Sequence, residues 1–237
     1  MEPLARAVRK SIGLNAIFLD QTDRSCYSEA VGNLASTRER ILDRGLALMS
    51  QAGLDGVTLG VLADQVGMSK SGLFAHFHSK EEVQISLLEH TAEVAAVHVI
   101  APSMSAPEGL PRLKALVTHW FGWAKRAGLP GGCPVAAGLF EFDDVQGPVR
   151  DKLAQMEAEW RGLLTKLVVD AISAGHLRRD LDADQFVWEL SGIYLSHHAA
   201  QRFLKSRDAD RRAALAFESL LARSLSVKKR KTKSPSG

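Results

Sequence analysis

Apolar residues recur at helical spacing along almost the whole chain, and glycine and proline clusters cut the pattern into separate helices. A first helix is expected from Ser36 or Thr37, where Ser36 and Glu39 have capping-box spacing. Its core-facing stripe is Ile41, Gly45, Leu48 and Ala52, flanked by Leu42, Leu46 and Met49, and Gly53 ends it. Leu59, Leu62, Ala63 and Val66 put one apolar face on a second helix, which Gly67 terminates because glycine enters the left-handed conformation without steric cost. Ser69 offers a hydroxyl to cap a third helix carrying Leu73, Phe74 and Phe77 on its buried side. Ser79 and Glu82 form a second capping box, opening a fourth helix through Val83, Leu87, Leu88, Thr91 and Val94 to about His98.

Three prolines make residues 101–111 a loop. From Leu110 a helix carries Leu113, Leu116, Val117, Trp120, Phe121 and Ala124, until GLPGG at 128–132 breaks the chain. The next segment, CPVAAGLFEF, predicts a short helix buried on most sides. A long helix follows from Pro148, with Val149, Leu153, Met156, Trp160, Leu163, Leu167 and Ala171 on one side, and stops at Gly175. Two amphipathic helices, roughly 183–205 and 208–226, complete an all-α chain.

The stretch from Thr58 to His78 has the build of a helix-turn-helix, with Ala63 small enough to let the two helices approach. An ordinary helical hairpin would show the same periodicity. Two features favour a DNA-reading unit. Residues 65–80 contain Lys70, His76, His78 and Lys80 but no acidic residue, and Ser69, Lys70, Ser71 and Gly72 are small or basic, as close approach to phosphates requires.

These segments, TRERILDRGLALMSQAG from Thr37 and VTLGVLADQVGMSKSGLFAHFHSKEEV from Val57, resemble the TetR family of bacterial transcriptional regulators. The likeness covers residues 37 to about 98. His76, Phe77 and Lys80 match the family's pattern as they stand, whereas Phe74 occupies its usual tyrosine position and lacks the phenol that could bond a phosphate. The string GCPVAAGLFEFDD followed by GPVRD also resembles the ligand domain of one subset of the family. The resemblance implies an N-terminal three-helix helix-turn-helix domain joined to a larger helical ligand-binding and dimerisation domain. It places Thr58, Ser69, Lys70, Ser71, Gly72, Phe74, His76, Phe77 and Lys80 at a duplex DNA operator. The last two helices would pair with those of a second copy, and physics agrees, because two terminal amphipathic helices need a cover. A two-fold dimer is also what a palindromic site requires.

Boundaries follow at 1–36 for an N-terminal extension, 37–90 for the DNA-binding domain, 91–226 for the effector and dimerisation domain, and 227–237 for a basic tail expected to be disordered. The extension has two readings: a flexible or short helical arm, or a start placed too early, since a start at Val31 leaves the domain intact. Its apolar run, IGLNAIFL, is too short and too broken by Asn15 for a secretory leader.

Charge refines the picture. The net +3 of the 237 residues misleads, because the tail alone carries +5 while residues 37–90 carry −2. The acids are expected on the first and fourth helices, away from the 65–80 surface, so that local potential decides. No apolar run approaches the ~18 residues of a membrane helix. Cys26 and Cys133 lie far apart and make neither a disulfide framework nor a metal pair. A reduced, cytoplasmic protein is the expectation.

Catalytic chemistry is not legible. His197 and His198 are adjacent and diverge around a helix, as do His76 and His78; Asp143 and Asp144 do not converge. No catalytic site, metal or cofactor is expected. Instead, aromatics from several helices can line an apolar pocket: Trp120, Trp123, Phe140, Phe142, Trp160, Trp188 and Tyr194, with Tyr194, His197 or Cys133 as its polar points. Each could equally be plain core. Cys133 at a helix start has a second reading as a sensor of oxidants or electrophiles, against that of an inert buried thiol. The function expected is a sequence-specific DNA-binding regulator, a repressor released when a small apolar or aromatic effector binds. The alternative is a carrier or enzyme on a helical bundle with a vestigial helix-turn-helix.

Overall fold

A computed structural model of the protein describes residues 28–226, and the expectations for the N-terminal arm before Ser28 and for the basic tail lie outside the described residues. Among the described residues there is no strand, only a single bridge pairing Leu177 with Leu225. Eleven α-helices follow in order: α1 Ser28–Ala52, α2 Leu59–Val66, α3 Lys70–Phe74, α4 Lys80–Ala95, α5 Ala101–Met104, α6 Leu110–Trp120, α7 Trp123–Arg126, α8 Pro134–Glu141, α9 Pro148–Ser173, α10 Ala183–Arg202 and α11 Ala209–Ser224.

Three expectations are corrected. The first helix begins at Ser28, so Ser36 lies inside it rather than at its start. Residues 101–104 are helical rather than loop, because α4 runs on through a π turn at Ala96–Ile100 into α5. In that widened turn the Ala101 N–H reaches back to the Ala96 carbonyl, which lets the helix pass Pro102 despite its missing donor and bulky ring. Finally, the helix from Leu110 ends at Trp120. Phe121 is extended and Gly122 is left-handed (φ 70°), a conformation cheap only for glycine, so α7 starts in a new direction with Trp123 and Ala124.

Two apolar cores result. The larger joins Leu113, Leu116 and Val117 of α6, Leu164 and Val168 of α9, Phe186 and Leu190 of α10, and Leu220 and Leu221 of α11. The smaller is built on Ile41 and Met49 of α1, Leu62 of α2, Leu73 of α3, Phe77, and Leu87 and Leu88 of α4. It is completed by Phe142, Val149 and Leu153 from the end of α8 and the start of α9, so the N-terminal unit is roofed by the larger one.

A titratable pair fastens α1 to α4. His90 Nε2 lies 2.8 Å from Asp43 Oδ1, and its Nδ1 is 3.5 Å from Glu93. Burial opposes the charged imidazole, but the hydrogen bonds and charges of Glu93 and Asp43 outweigh it and hold the His90 pKa above its ordinary value. The folded state therefore binds this proton more tightly than the unfolded chain does. The stabilisation is fully present below the unfolded pKa of about 6.5 and is lost as pH rises through the folded value. Melting curves should show wild type losing its advantage over His90→Gln across that window; a constant difference between the two would remove His90 as the cause.

Candidate functional site

The surface around α3 is built from caps. Thr58 accepts from the Val61 N–H (3.2 Å) and opens α2, and left-handed Gly67 (φ 68°) closes it. Ser69 accepts from the Gly72 N–H at 3.0 Å and its hydroxyl bonds that of Ser71 at 3.0 Å, fixing the start of α3. Lys70 is exposed, and its stem crosses Gly60, where a Cβ would stand only 3.2 Å from Lys70 Cε. Helix α3 itself carries no acid.

Several expected contact residues behave differently. Phe77 is fully buried and packs, so it is out of reach of any ligand. Phe74, expected on the buried side, is 45% exposed: Leu73 takes the core-facing position, α3 ends at Phe74, and the chain swings Phe77 inward instead. Lys80 gives its ammonium to Asp55 at 2.6 Å. That pair also corrects the expected distribution of acids, since Asp55 sits in the turn after α1 and Asp64 on α2 itself. Thr58, Ser69, Lys70, Ser71, Gly72 and His76 stay together on or beside the α2–α3 turn, with only Gly72 and His76 partly covered.

Sequence reasoning missed Arg38. Its guanidinium donates to the His76 carbonyl (3.1 Å) and the Ser86 hydroxyl (3.0 Å), and stands 4.4 Å over the Phe77 ring. One side chain of α1 thus holds the end of α3 and the body of α4. No local signal marks it, because its partners lie 38 and 48 residues away.

In the larger unit, six of the expected pocket residues converge. Tyr194 stacks on Trp120 with centroids 4.0 Å apart, Trp120 meets the edge of Trp160 at 5.0 Å, and the Trp123 indole donates to the Tyr194 oxygen at 3.2 Å. Cys133 is buried beside Tyr194; burial first, then this thiol, pushes the Tyr194 pKa well above its ordinary value, so the phenol keeps its proton. His197 is buried, stacks on Phe121, and pairs through Nε2 with Asp210 Oδ1 at 2.7 Å. Phe140, Phe142 and Trp188 do not join: Phe142 packs in the smaller core, and Trp188 on α10 is 64% exposed. Phe140 is 65% exposed, against the expectation that the CPVAAGLFEF helix is buried on most sides. Beside the cluster lies a cleft of about 40 Å³ bounded by Lys125, Gly132, Cys133, Tyr194, His198 and Arg202.

The two units are joined by Lys152 of α9, whose ammonium lies 2.9 Å from Glu89 of α4, and by two joints that engage backbone N–H groups. Ser50 near the end of α1 receives the Gly131 N–H on its hydroxyl (3.0 Å) and the Gly132 N–H on its carbonyl (2.9 Å). Glu141, at the end of α8, accepts from the Leu54 and Asp55 N–H groups at 2.8 and 3.1 Å. Among the described residues no group of three potential ligands could hold a metal, and no helix is long and apolar enough to cross a membrane.

A helix-turn-helix carried on a two-core helical chain defines a class, and comparison with known proteins agrees. Residues 41–86 match the model of bacterial regulatory proteins of the tetR family, and residues 109–217 match the tetracyclin repressor-like C-terminal domain. The chain belongs to the TetR family. Nucleoid occlusion factor SlmA of Escherichia coli is 31% identical over 132 residues, which are 54% of this chain and 65% of SlmA, so the match spans just under two thirds of that relative's length. A TetR transcriptional regulator from Chloroflexus aurantiacus superposes with a TM-score of 0.72 at 24% identity, covering 81% of this chain and 95% of its own. AibR, solved with isovaleryl coenzyme A and operator DNA, gives 0.59 at 18% identity over 76% of this chain and 97% of its own. Both structural likenesses are likenesses of fold.

Proposed function

We propose that the protein is a dimeric, sequence-specific transcriptional regulator that binds a palindromic duplex operator through α3 and acts as a repressor released by a small effector in the C-terminal unit. The observation that carries this reading is the α3 surface: capped at Ser69, free of acids, and presenting Lys70 with Ser69, Ser71 and Gly72 to solvent. A side chain or backbone at a base edge needs such small neighbours to approach the groove floor. The AibR complex, which holds both a small molecule and operator DNA, supports the pairing of the two activities in one fold. The domains proposed are 37–90 for DNA and 91–226 for effector and dimer, joined at Ser50 and Glu141.

Dimerisation is assigned to α10 and α11. These two helices pack on each other yet leave Trp188 and Leu215 largely exposed, apolar area of the kind a second copy would cover. Phe74 has no phenol for a phosphate, so its exposed ring is suited to apolar contact, such as a thymine methyl.

Lys70 is assigned to a phosphate. In a salt series with duplex DNA from the protein's own promoter region, Lys70→Ala should weaken specific and nonspecific binding alike and lower the slope of log K against log salt by about one unit. An unchanged slope would take Lys70 out of the interface. Failure of wild type to bind any fragment of its genome, with or without aromatic and apolar compounds added, would overturn the regulator reading.

A further inference from the structure

The small cleft beside the aromatic cluster has an uneven charge. Its walls include Lys125, Arg202, His197 and His198, and no carboxylate. Asp210 stands behind His197, where it is engaged by both His197 and Gln201 at 2.7 Å. Lys125 is exposed and pairs with no carboxylate among the described residues. Arg202 is half-buried, and its one described acceptor is the Ser50 carbonyl, at 3.4 Å. The guanidinium makes this one long bond to a neutral acceptor, and none of its nitrogens is among the buried atoms that lack a partner, so its other donors are open to solvent and to a ligand. The local field is felt by its neighbour: burial, then the charges of Arg202 and His197, depresses the His198 pKa.

We infer that this cleft binds the carboxylate head of a small organic acid, with Arg202 and Lys125 as its charged partners, and that the bound carboxylate draws Arg202 away from the Ser50 carbonyl of α1. The class of ligand follows from shape as well as charge. About 40 Å³ admits a head group of a few atoms but not a ring. A planar carboxylate fits a planar guanidinium in the forked, two-bond geometry. Trp123 and Tyr194 also line the cleft, so the first carbons of an acid meet aromatic side chains there.

The same cleft touches the DNA-binding unit. Gly131 and Gly132 form one wall, and both donate their N–H groups to Ser50, so the wall and the end of α1 move as one piece. An acid that recruits Arg202 removes one of three bonds to Ser50 and favours a different seat for α1. Its effect on DNA is then its differential affinity for the two positions. This inference rests on the regulator reading for its consequence, but not for the existence of the site.

Trp123 lies in the wall, so its fluorescence reports occupancy. The experiment titrates the full chain with benzoate and hexanoate, and in parallel with benzamide, hexanamide and inorganic phosphate. Both carboxylates should bind saturably and the amides at least tenfold more weakly. Arg202→Gln should cost the carboxylates tenfold or more, with part restored by Arg202→Lys. Lys125→Gln, at an exposed position where folding is not at stake, should cost them about fivefold by loss of one charge partner. Amides that bind as well as the acids, acids that do not bind, or variants with unchanged affinity would overturn the site. Phosphate that displaces benzoate at equal concentration would overturn the choice of carboxylate. DNA anisotropy on the same samples separates the two claims. Benzoate should weaken DNA binding by wild type and not by Arg202→Gln, and equal DNA affinity with and without bound benzoate would overturn the link to α1. Carboxylate binding by a protein that holds no DNA would leave the site standing and end the regulator reading.

Discussion

Gly131→Ala is expected to be the most damaging single methyl group in this protein. A Cβ built on Gly131 overlaps the Ser50 carbonyl group, and Gln51 N would stand only 2.6 Å away. All of these are backbone atoms of α1, which cannot step aside as a flexible side chain can. The joint between the two units must open, and with it go the Gly131 and Gly132 hydrogen bonds to Ser50. Overpacking of this kind costs about 3 kcal/mol. For a chain of this size that is a fall in Tm of roughly 6–12 °C. Gly162→Ala is the matched control. Gly162 lies in the middle of α9 with open space where its Cβ would be, and alanine there should stabilise by roughly 0.5–1 kcal/mol. Thermal melts of the two variants test the pair of expectations directly. Equal Tm values for wild type and Gly131→Ala would mean that the Ser50 joint is not made in solution.

Arg38→Ala comes second, and it separates stability from DNA binding. The substitution deletes charge-assisted hydrogen bonds to the His76 carbonyl and the Ser86 hydroxyl and removes a cation from the Phe77 ring. Together these are worth roughly 2–4 kcal/mol in a half-buried setting. The end of α3 loses its brace, so DNA affinity should fall by tenfold or more even at temperatures where the protein stays folded. Arg38→Lys keeps the charge but cannot bridge two acceptors with a planar fork, and should recover only part of either loss. Circular dichroism melts with DNA anisotropy at low temperature decide it. An Arg38→Ala protein that melts lower yet binds DNA like wild type would confine Arg38 to folding.

The all-α fold and most helix positions were legible because each helix announces itself over a few residues. Thr58, Gly67, Ser69 and Ser79 are caps or stops whose chemistry is complete within three or four positions, and each sits where its type predicts. Errors arose where an element depends on what lies further off. Ser36 and Glu39 have the spacing of a cap, but α1 continues N-terminally to Ser28. Pro102 resembles a breaker until a π turn absorbs it.

Membership of the candidate sites divides along the same line. Periodicity placed Trp120 and Trp160 on inward faces, and they do meet in one cluster with Tyr194 and Trp123. It could not exclude Phe140 and Trp188, which are equally aromatic and equally helical but face solvent. On α3, the pattern assigned Phe74 to the core, whereas the early end of that helix leaves the place to Leu73 and Phe77.

The sequence by itself determined the helices, the helix-turn-helix and the family, since these rest on local backbone preferences and motifs at fixed spacing. Only the tertiary structure decided which charges are available and how the two units are joined. Lys80 is engaged by Asp55, 25 residues earlier, Arg38 reaches 48 residues to Ser86, and Gly131 and Arg202 both find Ser50. Such pairs have no period and no fixed spacing. They exist because packing two cores against each other brings distant chain segments within hydrogen-bonding reach.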